Sequence, residues 1–498
     1  MPTTNDMINI GFSLHQEGKL DEAENAYNEA LQMDGNNAEL YNLLGVLKLQ
    51  KGDPESAIGY VQKAIEKSPQ AYFYETLFQA LVRKGDFEGI LNFKDFVLRN
   101  FPKNFSLLFN LALASKKINK NRDAITLYEK ALEINPSSYD AWFNLAHLYS
   151  VEAETKNALS AMKVCKKLHP KDNDTDYFLS LALMRVKDYK NGLKYFENRL
   201  CRETAIALQH KTYPNKSRRD NLWKGENIKN KTLMVYYEAG FGDAIMFARY
   251  LPLVRQKCKK LILFIQKPLA PLFAINKHLG IDEIIDRYIP ESNIEFDVHA
   301  PMLSLPYILG LKDNKVFVHS DGYLAADKNK TEEMRKKYYD NYNIKIGIKW
   351  QGNTYYDKDR VIPTEAFIPL TKISNTQFYS FQTFEGSEEV EKLTREGVID
   401  IGRNLSDFSE TAAALANLDL VICNDTSLAH LAGAMGLPCW IILPYEVNWR
   451  WHTDLSNCDW YDSIRLFRQP SIGDWNSVFG NVKQEIEDIL KKAENTDS

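Results

Sequence analysis

A period of about thirty-four residues runs through the first two hundred positions, and it constrains the fold more than any other feature of the chain. The segment 38–69 shows it most fully, with Tyr41, Leu44, Gly45, Ala57, Ala64 and Pro69 at fixed offsets and Lys48 where the pattern usually has an aromatic. The Leu-Gly pair returns as Ile10-Gly11. The small residue of the second helix returns as Ala23, Ala57, Ala124 and Ala158, with Ile90 in the third copy and Gly192 in the sixth. The closing proline returns as Pro69, Pro102, Pro136 and Pro170. Small residues let two helices approach closely, and large ones such as Tyr27, Tyr41, Tyr128 and Trp142 are expected to fill the gaps between repeats. Proline ends each second helix because it cannot continue the hydrogen-bond ladder.

These offsets are those of the tetratricopeptide repeat. About six copies fit, so residues 1–203 are predicted to form an all-α superhelix with a concave face on which a partner can bind. Asn9, Asn110 and Asn144 share one position of the first helix and are candidates to hydrogen-bond an extended peptide there. The alternative is that asparagine is simply common at that position, because Leu43, Thr76 and Phe178 interrupt the ladder.

The pattern then changes. Residues 204–231 are polar and are predicted to be a connector. Apolar runs at Leu233–Tyr237 and Leu261–Ile265 flank a glycine turn and a helical stretch, AIMFARYLPLVRQKC, which makes a βαβ unit. A second set follows: a charged helix TEEMRKKYYDNY, strands at Ile344–Trp350, Phe378–Gln382, Leu420–Cys423 and Cys439–Pro444, helices near Pro363–Thr371 and Glu388–Glu396, the helix SLAHLAGAMG stopped by Gly436, and a terminal amphipathic helix. Two parallel-sheet domains are predicted, at 232–328 and 329–498.

Ligands of open parallel sheets sit beyond the carboxyl ends of strands. Two turns lie there. In Glu238-Ala239-Gly240-Phe241-Gly242-Asp243, Gly240 can turn tightly, Gly242 can admit a ligand to bare backbone, and Asp243 starts a helix. Asp243 either faces the cleft or is a first-turn carboxylate favoured by the helix dipole. The third glycine of the dinucleotide fingerprint is missing, so NAD is not expected. In Asn424-Asp425-Thr426-Ser427, Asp425 or Thr426 can cap the next helix, whose first N–H groups through Leu428 suit a diphosphate. His430 either meets the ligand or is satisfied by local packing. Lys349, Gln351, Asn353 and Arg360 cluster after one strand and can neutralise phosphate, or form a solvated loop. Trp449-Arg450-Trp451 either stacks on a base or sugar, with Arg450 near a phosphate, or closes the core.

Composition excludes several classes. The net charge of −4 leaves no basic excess for nucleic acid. No stretch of 18 uncharged apolar residues occurs, so no membrane span is expected. The amino-terminal MPTTNDMINIGF lacks a basic region followed by an apolar run, so no secretory signal is expected. The six scattered cysteines lack a CxxC pair and read as reduced thiols in a cytoplasmic protein. No P-loop, HExxH, GxSxG or metal-ligand histidine pair is present, and no metal or cofactor is expected. The DxD-like stretches Asp172–Asp176 and Asp357–Asp359 do not end apolar strands and read as chance.

The stretches VYYEAGFGDAIMFARYLPLV, IGIKWQGN with DRVIP, FYSFQ, DLVICNDTSLAHLAGAMGLPCWIILPYEVNWRW and RLFRQPSIGDW together resemble bacterial tetratricopeptide-fused glycosyltransferases related to glycosyltransferase family 9, the heptosyltransferase-like group. The resemblance implies a GT-B architecture, two Rossmann-like domains facing a cleft, with 232–328 on the acceptor side and 329–498 binding the donor. It implies an inverting, metal-independent transfer of a hexose or heptose from a nucleotide sugar to a hydroxyl of a protein or glycan acceptor recruited by the repeats. The catalytic base would be Asp243, and Asp425, Thr426, Ser427 and His430 would hold the donor diphosphate. Leu428, Lys349 and Arg360 would assist, Gln382 is a candidate for the base or ribose, and Gly240, Gly242 and Gln351 complete the expected donor site. Ser427 stands where many heptosyltransferases carry glycine. The alternative is an inactive repeat scaffold with a vestigial nucleotide-binding module.

Overall fold

In a computed structural model, the described residues are 2–202, 221–287, 294–339, 344–352, 360–383, 387–452 and 456–496. They form two compact units, Met1–Pro170 and Lys171–Ser498.

The first unit holds five helical pairs. Asn37, Asp53, Asn104 and Ser138 each cap the helix that follows by accepting a backbone N–H. The small residues work as the spacing predicts. A Cβ at Gly11 would lie 2.6 Å from the Tyr27 ring, and one at Gly45 would lie 2.4 Å from Val61. Ala23, Ala57, Ala124 and Ala158 are buried. Tyr27 therefore covers Gly11 within its own repeat, and Tyr128 meets Phe109 of its own repeat edge-on at 5.4 Å, rather than serving only between repeats. The third repeat departs from the pattern. Its second helix breaks into Phe87–Leu91 and Lys94–Asn100 where Phe93 turns its ring toward Tyr74 and Phe78.

The sixth pair, Asn173–Arg185 and Tyr189–Phe196, goes with the second unit, so the boundary falls one repeat before the pattern ends at 203. Met184, Tyr189, Leu193 and Phe196 lie in the same apolar cluster as the first sheet. The Asp172–Asp176 stretch begins this pair, with Asp172 capping the first helix. Asp357–Asp359 and Asn353 lie outside the described residues.

The first sheet contains β1 (Ile228–Tyr236), β2 (Cys258–Phe264), β3 (Glu283–Ile285) and β4 (Val298–Pro301), all parallel, in the order β3-β2-β1-β4. β1 starts inside the segment expected as a connector. Leu222 bridges His299, and Trp223 is buried, so the end of that segment belongs to this sheet. Strand alternation sends Leu233 and Val235 to one face and Met234 and Tyr236 to the other. The helical stretch after β1 is Phe241–Phe247, a 3₁₀ turn Ala248–Tyr250 and Leu251–Arg255. Pro252 has no N–H for an α-helical bond, which breaks the single helix expected there.

The second sheet contains β5 (Ile344–Lys349), β6 (Thr376–Ser380), β7 (Ile399–Asp400), β8 (Leu420–Asn424), β9 (Cys439–Leu443), β10 (Asn457–Cys458) and β11 (Tyr461–Arg468). The order is β10-β11-β9-β8-β5-β6-β7, parallel except for the β10–β11 pair. Without β10 this is the doubly wound Rossmann order, and it reverses direction between β5 and β8. Between Pro363 and Thr371 there are two 3₁₀ turns, Thr364–Ala366 and Leu370–Lys372, rather than a helix, because Pro369 interrupts the ladder. The terminal helix Trp475–Thr496 packs Val478, Phe479, Val482 and Ile486 on Ile346, Ile348 and Trp440. Gly436, at φ 69°, ends Ser427–Ala434 in the left-handed conformation expected of it. The chain is thus an all-α repeat region followed by an α/β region with two Rossmann-like parallel sheets.

Candidate functional site

The two turns singled out by the sequence meet. Phe241–Phe247 follows β1, and Ser427–Ala434 follows β8, the strand next to the point where the second sheet reverses. Their first turns touch at Gly242. A Cβ there would lie 2.8 Å from His430 Cδ2 and 3.4 Å from Ser427 Cα. Gly242 thus gives its bare backbone to the facing helix, where a ligand was expected.

Asp243 uses both carboxylate oxygens. Oδ2 accepts the Gly240 N–H at 3.2 Å, and Oδ1 accepts from Arg450 Nη2. Arg450 also lies over the Trp449 ring, 4.5 Å from its centroid. Trp449 itself is buried and meets Trp460 edge-on at 5.7 Å, so its ring is part of the core. Trp451 is buried and stacks on His430 at 5.3 Å.

Asp425 is buried and paired with Arg360 at 3.0 Å. Burial alone would raise its carboxyl, but its surroundings, with the Arg360 and Arg450 guanidiniums nearby, lower it, so Asp425 is an anion. His430 lies at the centre. Its Nδ1 is 3.0 Å from Tyr461 Oη, and its Nε2 is 3.9 Å from Asp425. Burial pushes its pKa down to about 4, against the pull of Asp425, so the ring is neutral at pH 7.

Thr426 occupies the N-cap position of Ser427–Ala434 in extended conformation, but neither it nor Asp425 makes a side-chain cap bond. The first N–H groups of this helix, at Ser427 and Leu428, are left without a partner among the described residues. Four such donors are orphaned at any helix start, and an anion is their usual partner. Arg360 is paired with Asp425, and Arg450 also acts on it through its charge, so the region carries two nearby cations.

Lys349, expected in a solvated loop if it had no ligand, is instead buried at the end of β5, its ammonium donating to Phe381 O at 3.2 Å. Gln382 is turned to the backbone of Gln351. Its Oε1 accepts the Gln351 N–H at 3.2 Å, and its Nε2 donates to Gln351 O at 3.1 Å. In the repeats, Asn110 and Asn144 donate to carbonyls of their own helix four residues earlier, both at 2.9 Å, and Asn144 Oδ1 accepts from Lys116 at 2.8 Å. Asn9 is exposed.

Sequence reasoning missed Glu238, Arg199, Tyr189 and His452. Glu238 carried a signal, a carboxylate placed directly after an apolar strand. Its partner Arg199 is 39 residues away and had none.

Comparison with known proteins follows the same division. Models of the tetratricopeptide repeat match residues 14–84, 105–138 and 127–163, and the model of glycosyltransferase family 9 (heptosyltransferase) matches residues 385–441. Protein FlbA of Caulobacter vibrioides is 24% identical over 397 residues, which are 74% of this chain and 64% of FlbA. The human protein O-mannosyl-transferase TMTC3 is 24% identical over 342 residues, 66% of this chain and 35% of that protein. The chain thus spans less than two thirds of either relative. A glycosyltransferase family 9 structure from Veillonella parvula aligns with 54% of this chain and 99% of its own, at 13% identity and a TM-score of 0.42. The class is a repeat protein with an α/β region of two parallel sheets. More particularly, this chain joins tetratricopeptide repeats to a region related to glycosyltransferase family 9. Among the described residues, no helix is long and apolar enough to cross a membrane.

Proposed function

We propose that the chain is an inverting glycosyltransferase that moves a sugar from a nucleotide-sugar donor to a hydroxyl of a protein or glycan acceptor, without a catalytic metal. The observation that carries this reading is the meeting of the two helix starts at Gly242, which brings the turn that carries Asp243 against the helix start at Ser427. The match to glycosyltransferase family 9 over residues 385–441, which include that second helix start, supports it.

In this reading the donor diphosphate takes the Ser427 and Leu428 N–H groups, with Arg360 and Arg450 as the nearby cations. Asp243 removes the proton of the acceptor hydroxyl as that oxygen bonds to the anomeric carbon. The bond from that carbon to the diphosphate oxygen breaks on the opposite face, and the nucleoside diphosphate leaves with the electron pair. General-base help of this kind is worth roughly 10²–10⁴-fold. Preorganised dipoles facing the departing charge commonly supply the larger share. The guanidinium of Arg450 must leave Asp243 for the carboxylate to accept a proton, and the arriving diphosphate is a competing anion for it. The neutral His430 spaces the two helix starts without adding charge.

The repeat array supplies the acceptor, as a protein or a glycan held on its concave face. Reactions with peptides and with oligosaccharides separate the two. The reading is tested by thermal unfolding of the full chain with UDP, GDP, ADP and TDP sugars. A ligand at 100 times its Kd stabilises the folded state by about 2.7 kcal/mol. Such a shift with one nucleotide family, followed by transfer to an acceptor, is expected. No shift with any of them contradicts the reading and favours the scaffold.

A further inference from the structure

The sixth helical pair reaches both turns of the site. Arg199, in the 3₁₀ turn Glu197–Cys201 that ends the pair, is fully buried in the α/β unit and uses all five of its donors. Nε and Nη2 donate to the two oxygens of Glu238 at 3.2 and 2.8 Å, and Nη2 also donates to Ser304 Oγ at 2.8 Å. Nη1 donates to Phe196 O at 3.2 Å and to Glu197 Oε1 at 2.9 Å. Glu238 opens the turn that carries Asp243, and its Oε2 also accepts the Leu303 N–H at 3.2 Å, just past β4.

The other turn hangs on the same pair. Tyr189 Oη is 2.8 Å from His452 Nε2, and His452 Nδ1 is 3.2 Å from Arg185 O. His452 follows Trp449-Arg450-Trp451 and has φ 46°, a left-handed conformation unusual for a side chain with a Cβ. Its carbonyl is held in turn by Arg468 Nη2 at 2.7 Å. Lys187, between the helices of the pair, adds an ion pair to Asp459 at 2.6 Å.

Packing alone does not account for this. A buried Arg–Glu pair loses much of its attraction to desolvation, and apolar side chains of similar volume hold a fold equally well. What the pair adds is direction. The fork fixes the angle of the Glu238 turn, and Tyr189 fixes the His452 turn. The side chains those turns present, Asp243 and Arg450, are bonded to each other.

We infer that the sixth helical pair is a strut of the transfer site, and that Arg199 and Tyr189 are positioning residues, the first for Asp243 and the second for Arg450. This rests on the transferase reading above and adds to it that the last repeat is a working part of the catalytic unit.

The test uses full-length Arg199→Lys, which keeps the charge and loses the fork, and Tyr189→Phe, which loses one hydroxyl and keeps the ring. Nucleoside diphosphate affinity, kcat for transfer and amide hydrogen exchange at 238–243 and 449–452 are measured on each. Displacement by about 1 Å costs up to roughly 10²-fold in rate. The expected result is a kcat lowered about tenfold or more in Arg199→Lys with diphosphate affinity kept, and faster exchange confined to 238–243. In Tyr189→Phe the faster exchange is confined to 449–452. Unchanged exchange in both turns overturns the inference, and so does faster exchange spread evenly over the unit. The exchange measurement decides the point even if the wild-type chain proves to bind no nucleotide, a result that sinks the transferase reading alone.

Discussion

The repeat array and the α/β unit solve the same packing problem with opposite treatment of polar groups. In the array, buried hydroxyls such as Thr76 and Ser150 return to a carbonyl four residues back on their own helix. Apart from Glu152, which is buried and paired with Arg122, the array's charges lie at or near the surface and stitch each repeat to the next, as in Lys51 with Asp21, Lys84 with Glu55 and Lys94 with Asp123. Exposed pairs of this kind are worth about 0–1 kcal/mol each. In the α/β unit, Arg199, Arg249, Asp425 and His430 are buried, and their partners come from distant segments. The array is built by local repetition and stays tolerant. The α/β unit buries charge where two turns must be held in register.

The sharpest way to break this contrast is to cut the chain at two places. A chain starting at Lys171 is expected to fold, while one starting at Thr204 is not. The second cut strips Tyr189, Leu193 and Phe196 from the core, at roughly 1.5–3 kcal/mol each, and leaves Glu238 buried without its arginine. Urea unfolding followed by circular dichroism checks this. Equal behaviour of the two chains would mean that the sixth pair is an ordinary repeat.

Two glycine substitutions compare the units directly. Gly11→Ala and Gly242→Ala each drive a Cβ into a packed ring, at 2.6 Å from Tyr27 and 2.8 Å from His430. Both are expected to cost about 1–3 kcal/mol. Gly11→Ala should leave nucleotide binding and turnover as they are. Gly242→Ala should lower turnover on the order of tenfold or more, since it parts the two helix starts. Matching melting temperatures with turnover lost in only the second variant is the expected pattern.

The buried histidine gives a smaller effect with a defined sign. His430 has its pKa pushed down to about 4 by burial, below the ordinary value of 6.5. Below pH 6.5 the unfolded chain takes up a proton that the folded chain refuses until about pH 4. The stabilising contribution is therefore present above pH 6.5 and is lost as pH falls toward 4, at up to about 1.4 kcal/mol per pH unit. Urea unfolding between these limits should show a shallower slope in His430→Gln than in the wild type. The smallest effect belongs to the array. Asn110→Ala removes a bond to its own helix and is expected to change stability by less than about 1.5 kcal/mol in the same assay.

Much of this was legible in the sequence, for reasons that differ by region. The repeats declare themselves because Gly11, Gly45 and the recurring alanines answer to contacts inside one period. The strand cores at β5, β8 and β9 were legible because buried parallel strands read as short apolar runs. Proline explains where continuous helices failed, at Pro252 and Pro369. The two site turns were legible as strand-end glycine and Asp-Thr segments. Their meeting at Gly242 was not, since 188 residues of chain separate it from His430. The same holds for Arg450 on Asp243 and for Arg199 on Glu238. No local pattern records a contact made by tertiary packing.

The most direct measurement is on Asp243→Asn, with nucleoside diphosphate affinity and sugar transfer followed in the same preparation. The substitution removes the base and also frees Arg450 for the diphosphate. With Asp243 as the base, affinity is expected to equal or exceed that of the wild type, and transfer to fall by about 10²–10⁴-fold. Transfer at the wild-type rate in a folded Asp243→Asn chain would contradict that role.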